Sequence, residues 1–338
     1  MGSKARAHRC SLIFPASFSI VAAPMSLEPH DSATARPLFA IMGTIGYDVI
    51  THEGGEGNAG VGGILYQAAG LCGLGLEVAL FANVGEAYEP EVKAITECWP
   101  ACHTEGLRSA PGAGNRVFLH YPAHGERVEI LRSHVPPLDP QRIIDGLSGC
   151  RLLISVINSG FDIELEGWRR VVAGAACPIW FDIHSLALTR VVGETRRYRP
   201  LAEWPAWVRG VTYLQANVKE VASMLGDPDR LPGPEELIGF GRAATGLGVQ
   251  AVFLTMGKDG AMILTREGAR RIGCHEAGRI VDTTGCGDIF CAGAAAMLAA
   301  GSSPEEAAAF GVELASEAVG VAGVLGTYEL VRNRTFTA

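Results

Sequence analysis

Residues 281–293 read Val-Asp-Thr-Thr-Gly-Cys-Gly-Asp-Ile-Phe-Cys-Ala-Gly. A strand-like end, Arg279-Ile-Val281, runs into Asp282-Thr-Thr-Gly-Cys-Gly-Asp288, and an alanine-rich helical stretch follows over 288–300. Gly285 and Gly287 leave the backbone bare where that helix begins. Consecutive N–H groups at such a turn point outward together, and the helix dipole adds partial positive charge. The turn therefore suits an anion such as a phosphoryl group. Asp288 falls in the first helical turn, within reach of whatever approaches that anion. A carboxylate there can serve as general base for a hydroxyl attacking phosphorus. The plainer alternative is a glycine turn in which Asp288 only complements the helix dipole.

A turn of this kind needs a buried strand behind it and a helix ahead of it. The chain supplies that pattern repeatedly. Leu38–Met42 reads as a short buried strand ending at Gly43. From 63 to 75 the apolar residues Ile64, Leu65, Ala68, Ala69, Leu71 and Cys72 recur at helical spacing, and Val78–Phe81 is the next strand. Strand, loop, helix and strand in that order signal a parallel α/β sheet. Leu152–Val156, Pro178–Phe181, Val211–Gln215, Ala251–Thr255 and Ala261–Leu264 continue it. A second alanine-rich helix over 304–322 starts with Ser303 as N-cap, Pro304 at the first position, then Glu305 and Glu306. Two stretches break the rhythm. Residues 51–60 (THEGGEGNAG) read as a glycine-rich loop or flap, and 116–121 with 127–132 flank a turn and read as a hairpin. We take 49–60 and 112–132 together as a small β lid.

Composition sets the outer bounds. Of 338 residues, 48% are hydrophobic and 19% charged, enough for a sizeable core. A net charge of −8 excludes nucleic acid as the main partner, because no basic surplus exists to neutralise phosphates. No run reaches the roughly 18 apolar residues of a membrane span. The 9 cysteines are odd in number and form no Cys-x-x-Cys pair. Cys98 and Cys102 lack the further ligands of a zinc set. Reduced thiols and a cytoplasmic location are expected. At the N-terminus, Lys4, Arg6 and Arg9 precede the apolar stretch Leu12–Ala23, a loose mimic of a secretory signal weakened by Pro15, Ser11, Ser17 and Ser19. Residues 1–37 are expected to be a disordered or over-extended leader, with Met25 as the true start. One folded domain is expected over 38–330, and 331–338 as a tail.

With these motifs in family order over 38–328, the chain resembles the ribokinase-like sugar kinases of the phosphofructokinase-B type. The resemblance implies a three-layer α/β/α sandwich with a mainly parallel central sheet and a β lid. It also implies an ATP-dependent kinase acting on a hydroxymethyl group of a small sugar or nucleoside. Asp288 maps to the family's catalytic base, and the backbone of Gly285, Cys286 and Gly287 to its anion hole, with Cys286 in place of the commoner alanine. Asp282 maps to a position that often helps hold a monovalent cation such as K⁺. Thr255-Met-Gly-Lys-Asp-Gly260 resembles the Thr-x-Gly-x-x-Gly of the nucleotide site, implying roles for Thr255, Gly257 and Gly260. Asn217-Val-Lys-Glu220 resembles the Asn-x-x-Glu motif, with Glu220 ordering Mg²⁺ through water. Read without the resemblance, the first could be a hairpin turn and the second a helix cap with a solvated face. Gly43-Thr-Ile-Gly-Tyr-Asp48 matches the segment whose aspartate binds substrate hydroxyls.

The departures bear on specificity. The family's di-glycine signature runs Gly-Gly-x-x-x-Asn-x-Ala, whereas Gly62-Gly63-Ile-Leu-Tyr-Gln67-Ala-Ala69 carries glutamine where asparagine contacts the sugar. One added methylene alters which hydroxyl pattern fits. Gly311-Val-Glu-Leu-Ala315 keeps small residues but not the family's asparagine beside the adenine. Asp182-Ile-His184-Ser185 follows a strand and can line the cleft, His184 as a polar cleft histidine rather than a base. Two rivals stand beside the kinase: a non-catalytic sugar or nucleotide binder on the same fold, and a dinucleotide-dependent oxidoreductase. The second lacks Gly-x-Gly-x-x-Gly after its first strand. A homodimer through the lid is the expected assembly, since flap hairpins offer free edges.

Overall fold

In the strand Phe39–Met42 (β1) every side chain is buried, on alternating sides. Phe39 and Ile41 enter one apolar cluster, Ala40 and Met42 another. Strands buried on both faces read as unbroken apolar runs, because helices cover each side of a parallel sheet. The computed structural model describes residues 39–334, apart from 56, 125–126 and 275–277. The expected leader, Leu38 and the last four residues of the expected tail lie outside the described residues.

The other strands are Gly46–His52 (β2), Asn58–Val61 (β3), Val78–Gly85 (β4), Cys102–His103 (β5), Leu107–Ala110 (β6), Asn115–Tyr121 (β7) and Val128–Ser133 (β8). Beyond these come Leu152–Val156 (β9), Ile179–Asp182 (β10), Tyr213–Asn217 (β11), Ala251–Thr255 (β12), Ala261–Thr265 (β13) and Ala269–Ile272 (β14). The helices are Leu65–Gly73 (α1), Glu89–Thr96 (α2), Pro140–Gly146 (α3), Leu165–Gly174 (α4), Trp204–Val208 (α5), Val218–Met224 (α6), Pro234–Gly246 (α7), Cys286–Ala299 (α8), Pro304–Ala318 (α9) and Gly323–Arg332 (α10).

The main sheet runs β14-β13-β12-β11-β10-β9-β1-β4-β5, with β6 also paired to β4. It is parallel from β12 to β5, and β13 and β14 add an antiparallel edge. Helices α1, α2, α8, α9 and α10 cover one face, and α3 to α7 the other. This is the expected three-layer α/β/α arrangement. The order reverses at β1, which has β4 on one side and β9 on the other. In such sheets ligands bind beyond the carboxyl ends of the strands at the point of reversal.

A second sheet, β3-β2-β7-β8, stands beside the first. Residues 51–60, read as a glycine-rich loop or flap within the β lid, carry the end of β2 and most of β3, with Tyr47 opposite Val61 and Ile50 opposite Asn58. Glycines and half-exposed side chains there hide the alternation that marks a strand. The outer edge of β8 is not free. Gly193 donates to the Leu131 carbonyl and Arg196 to the Glu129 carbonyl, each at 2.8 Å. Arg279–Val281, read as a strand end, forms no ladder; Val281 N–H donates to the Val319 carbonyl at 2.7 Å. The helix read over 304–322 stops at Ala318, and α10 begins at Gly323 with φ +68°.

Helices α1 and α8 meet at Gly70. A Cβ there would lie 2.6 Å from the Ala292 methyl. Replacing a helical glycine by alanine normally gains about 0.5–1 kcal/mol, but overpacking costs about 1–3 kcal/mol. The clash wins, so Gly70→Ala is expected to lose about 1 kcal/mol net. Urea titration of both proteins measures it; an unchanged or raised midpoint would show this helix contact to be soft.

Candidate active site

Five segments leave the carboxyl ends of β1, β9, β10, β11 and β12 side by side. After β1 comes Thr44, whose N–H donates to Asn158 Oδ1 at 3.1 Å and whose hydroxyl donates to Asp162 Oδ1 at 2.5 Å. The other Asp162 oxygen accepts from Ser159 N–H and hydroxyl at 2.9 Å and from Gly160 N–H at 3.0 Å. This buried carboxylate thus fixes the loop that sets Asn158 and Ser159 into a pocket shared with Asp48, Gly63, Tyr66, Gly285 and Asp288. Sequence reading placed four of these, Asp48, Gly63, Gly285 and Asp288, in one site, and the fold brings them together.

Glycine is required at two of these positions. Gly285 caps α8 in the left-handed region at φ +80°, and a Cβ would sit 2.4 Å from the Tyr66 ring. Gly63, at φ +64°, would drive a Cβ to 2.1 Å from the Thr44 carbonyl. Gly62 is bare for a different reason: a Cβ would fall 2.6 Å from Asp48 Oδ2. Cys286 and Gly287 continue the first turn of α8. Gln215 anchors that turn to the sheet, accepting from Trp180 Nε1 at 3.1 Å and donating to the Gly287 carbonyl at 3.0 Å.

The acids are crowded. Burial, then the charges of Glu129 and Asp282, push Asp48 up to about 7, against the pull of Arg127. Burial and Asp182 hold Asp288 well above the usual carboxylate range, while a hydrogen bond from Gln67 opposes them. Burial and Glu220 raise Asp182 as well. Burial brings Glu220 to about 8. Positive charge comes from the second sheet. Arg127 pairs with Glu129 at 2.9 Å, and Glu129 pairs with the buried Arg196 at 3.0 Å. Burial favours a protonated Glu129, but the guanidiniums of Arg127 and Arg196 win and hold it below its ordinary value. His184 lines the same pocket. It is the one non-glycine among the described residues in the left-handed region, at φ +38°. Burial depresses its basicity, which suits a neutral cleft histidine.

The remaining expected residues lie outside that pocket. Asn217 and Glu220 form a reciprocal capping box at α6. Asn217 N–H and Nδ2 each donate to Glu220 at 2.7 Å, and Glu220 N–H returns a bond to Asn217 Oδ1 at 2.9 Å. The cap is real, but Glu220 is buried rather than solvated. Thr255 pairs in register with Asn217, so the Thr255–Gly260 turn extends the same rim. That turn joins β12 to β13. Gly260, at φ +84°, would push a Cβ to 2.1 Å from the Ile272 carbonyl, while Gly257 sits at φ +58° in open space. Asp282 is buried, with one oxygen accepting from Thr284 N–H at 2.8 Å and the other unpartnered. Gln67 is fully buried behind the pocket and donates to Asp288. Sequence reading missed Arg127, Glu129, Arg196 and Gln215. Arg127 and Glu129, two apart in an apolar hairpin, were the available signal.

A profile described as pfkB family carbohydrate kinase matches residues 195–329. Residues 39–334 take a fold known from solved kinases. The chain has a ribokinase-like fold and resembles the pfkB family. The structure of Arabidopsis thaliana ribokinase complexed with ribose and ATP aligns with a TM-score of 0.64 at 18% identity, covering 89% of this chain and 100% of that one. Burkholderia thailandensis nucleoside kinase in complex with inosine gives 0.67 at 18% identity, covering 85% and 92%. Adenosine kinase from Sinorhizobium meliloti gives 0.66 at 18% identity, covering 88% and 99%. No curated protein sequence matches this ribokinase-like chain. Among the described residues no helix is long and apolar enough to cross a membrane.

Glu220 also makes stability depend on pH. Unfolded, it loses its proton near 4.5; folded, it keeps it to about 8. Between those values the native state binds the extra proton, so stability falls as pH rises. Glu220→Gln is expected to flatten the decline in unfolding free energy between 4.5 and about 8. Urea titrations across that window test this, and an unaltered slope would contradict the buried proton.

Proposed function

We propose that this chain is a kinase that moves the γ-phosphoryl group of ATP to a hydroxymethyl group of a small sugar or nucleoside. One observation carries the reading: Asp288 stands in the first turn of a helix whose cap, Gly285, is bare backbone, and both line the pocket that holds Asp48. A base, an anion cradle and an acceptor for substrate hydroxyls then share one cavity. The pfkB match and the kinases that share the fold support the same class.

In this mechanism Asp48 accepts hydrogen bonds from the acceptor's hydroxyls and turns its CH₂OH toward Asp288. Asp288 takes the hydroxyl proton as the oxygen attacks the γ-phosphorus in line; the bond to the β-phosphate oxygen breaks and ADP departs with that electron pair. N–H groups at 285–287 donate to the oxygens of the group in transit. Thr255, Gly257 and Gly260 line the nucleotide's side of the rim. Arg127 adds positive charge near Asp48, Glu220 and Asp288, on all of which its field acts. The second sheet serves as lid. Tyr121 in β7 already reaches the Thr284 hydroxyl, 3.3 Å away, so the lid contacts the anion turn and excludes water there. With β8 covered, a homodimer through the lid would pair β3 edges.

The residues fit Mg²⁺ held through water. Asp182 and Glu220 are buried close enough for Glu220 to raise Asp182, and a cation relieves that repulsion. Both Glu220 oxygens already accept from Asn217, and no group of three ligating side chains gathers among the described residues. That suits an ion carried mainly by water and phosphate oxygens. When bound, Mg²⁺ supplies charge neutralisation on the phosphates. The unpartnered buried oxygen of Asp282 similarly fits a monovalent cation such as K⁺.

Incubation with Mg-ATP and a panel of sugars and nucleosides, with ADP read by a coupled assay, tests the proposal. One acceptor class is expected to release ADP in step with a phosphorylated product. Asp288→Asn is expected to lower turnover by about 10²–10⁴-fold while nucleotide still binds. Ligand-induced thermal stabilisation without product would favour a binding protein. Near-normal turnover in the variant would remove Asp288 as base.

A further inference from the structure

Gln67 lies one turn before Gly70 on the face of α1 that meets α8. Asp288 lies one turn before Ala292 on the opposing face of α8. The tight approach of Gly70 to Ala292 brings the two side chains together, and Gln67 Nε2 donates to Asp288 Oδ1. Gln67 is 0% exposed and outside the pocket lining, so its amide faces the acid and not the acceptor. Its Oε1 is buried with no hydrogen-bond partner. Leaving such an oxygen unpaired costs free energy. Once Asp288 is ionised, as a base must be, reversing the amide would set that oxygen against the carboxylate with no donor between them. The orientation is thus dictated by Asp288, and the orphaned oxygen is the cost of keeping a donor there.

We infer that Gln67 is a positioning residue for the catalytic acid: its N–H holds Oδ1 of Asp288 and leaves Oδ2 to take the acceptor's proton. The inference rests on the reading of Asp288 as base given above. An amide suits the task because it steadies an anion without adding a fixed charge that would compete for the phosphoryl group. The surroundings show why a donor is needed. Asp288 is faced by Asp182 from β10, Asp48 from β2, Tyr66 from α1, Cys286 and Cys291 from α8, and Arg127 ahead of β8. Burial and the two aspartates favour the protonated acid, which cannot act as base; Gln67 and Arg127 are what oppose them.

Gln67→Met keeps the volume and removes the donor. Carbon-13 NMR of protein labelled in aspartate follows the Asp288 carboxyl directly, its signal assigned by loss in Asp288→Asn. The expected result is a titration midpoint about one pH unit higher in Gln67→Met, roughly tenfold in proton affinity. In turnover assays kcat is expected to fall about 10–100-fold with its acidic limb moved up, while acceptor KM stays within about threefold. An unmoved midpoint, or a raised KM with kcat and pH profile intact, would overturn the inference and return Gln67 to acceptor contact. If Gln67→Met does not fold, Gln67→Asn gives the same readouts, since its amide is a methylene too short to reach. If the wild type transfers phosphoryl to no acceptor, the kinase reading fails, yet the carboxyl titration still decides whether Gln67 holds the acid.

Discussion

Gly285 rests against the Tyr66 ring in a conformation that admits no side chain, and the aim of helix α8 follows from that contact. The ring belongs to α1, and α1 is itself held to α8 by the close passage at Gly70. On the other side, Gln215 ties the Gly287 carbonyl to the sheet through Trp180. The first turn of α8 is therefore fixed from a helix and from a strand at once. Any side chain at 285 would lift that turn off the Tyr66 ring and away from the carboxylates it faces. Bare backbone there is a packing requirement, whatever the turn binds.

Around this turn the protein concentrates more negative charge than it neutralises. Asp48, Asp182 and Asp288 are all pushed toward their protonated forms, and Glu220 with them, chiefly by burial. Only Glu129 is driven the other way, because two arginines flank it. A site built for stability alone would not assemble so many unpaired acids. Such a site is relieved when hydrogen-bond donors or positive charge reach these acids. The strain is electrostatic, and it is also conformational at His184, whose left-handed backbone turns the chain back from β10 into the pocket.

Much of this was legible in the sequence, for reasons of range. The Asp282-to-Asp288 turn is local: glycine reports a backbone state, and the adjoining alanine-rich stretch reports a helix. The parallel sheet is legible because strands buried on both faces must be apolar throughout, as β1, β9 and β12 are. The strand pairing inside hairpin β2–β3 was legible only as a flap, since Gly54, Gly55 and Gly57 at its tip and exposed Asn58 and Ala59 carry no alternation. The Arg196–Glu129 pair joins residues 67 apart, and Gln67 reaches Asp288 across 221. No periodicity spans such distances. Their partners are set by how layers stack, which a pattern of residue types does not encode.

Gln67 shows that a motif fixes a position without fixing a side chain's partner. The di-glycine motif sets its position on α1. The side chain reaches the acid on the neighbouring helix. The cavity itself is lined by other side chains. Asn158 and Ser159 are held there by Asp162, and Arg127 with Glu129 come from the second sheet. These come from loops and from the lid, the parts of this fold that the main sheet positions without constraining. Asp288 thus stands on a helix anchored to the sheet, whereas most polar side chains around it stand on loops and in the second sheet.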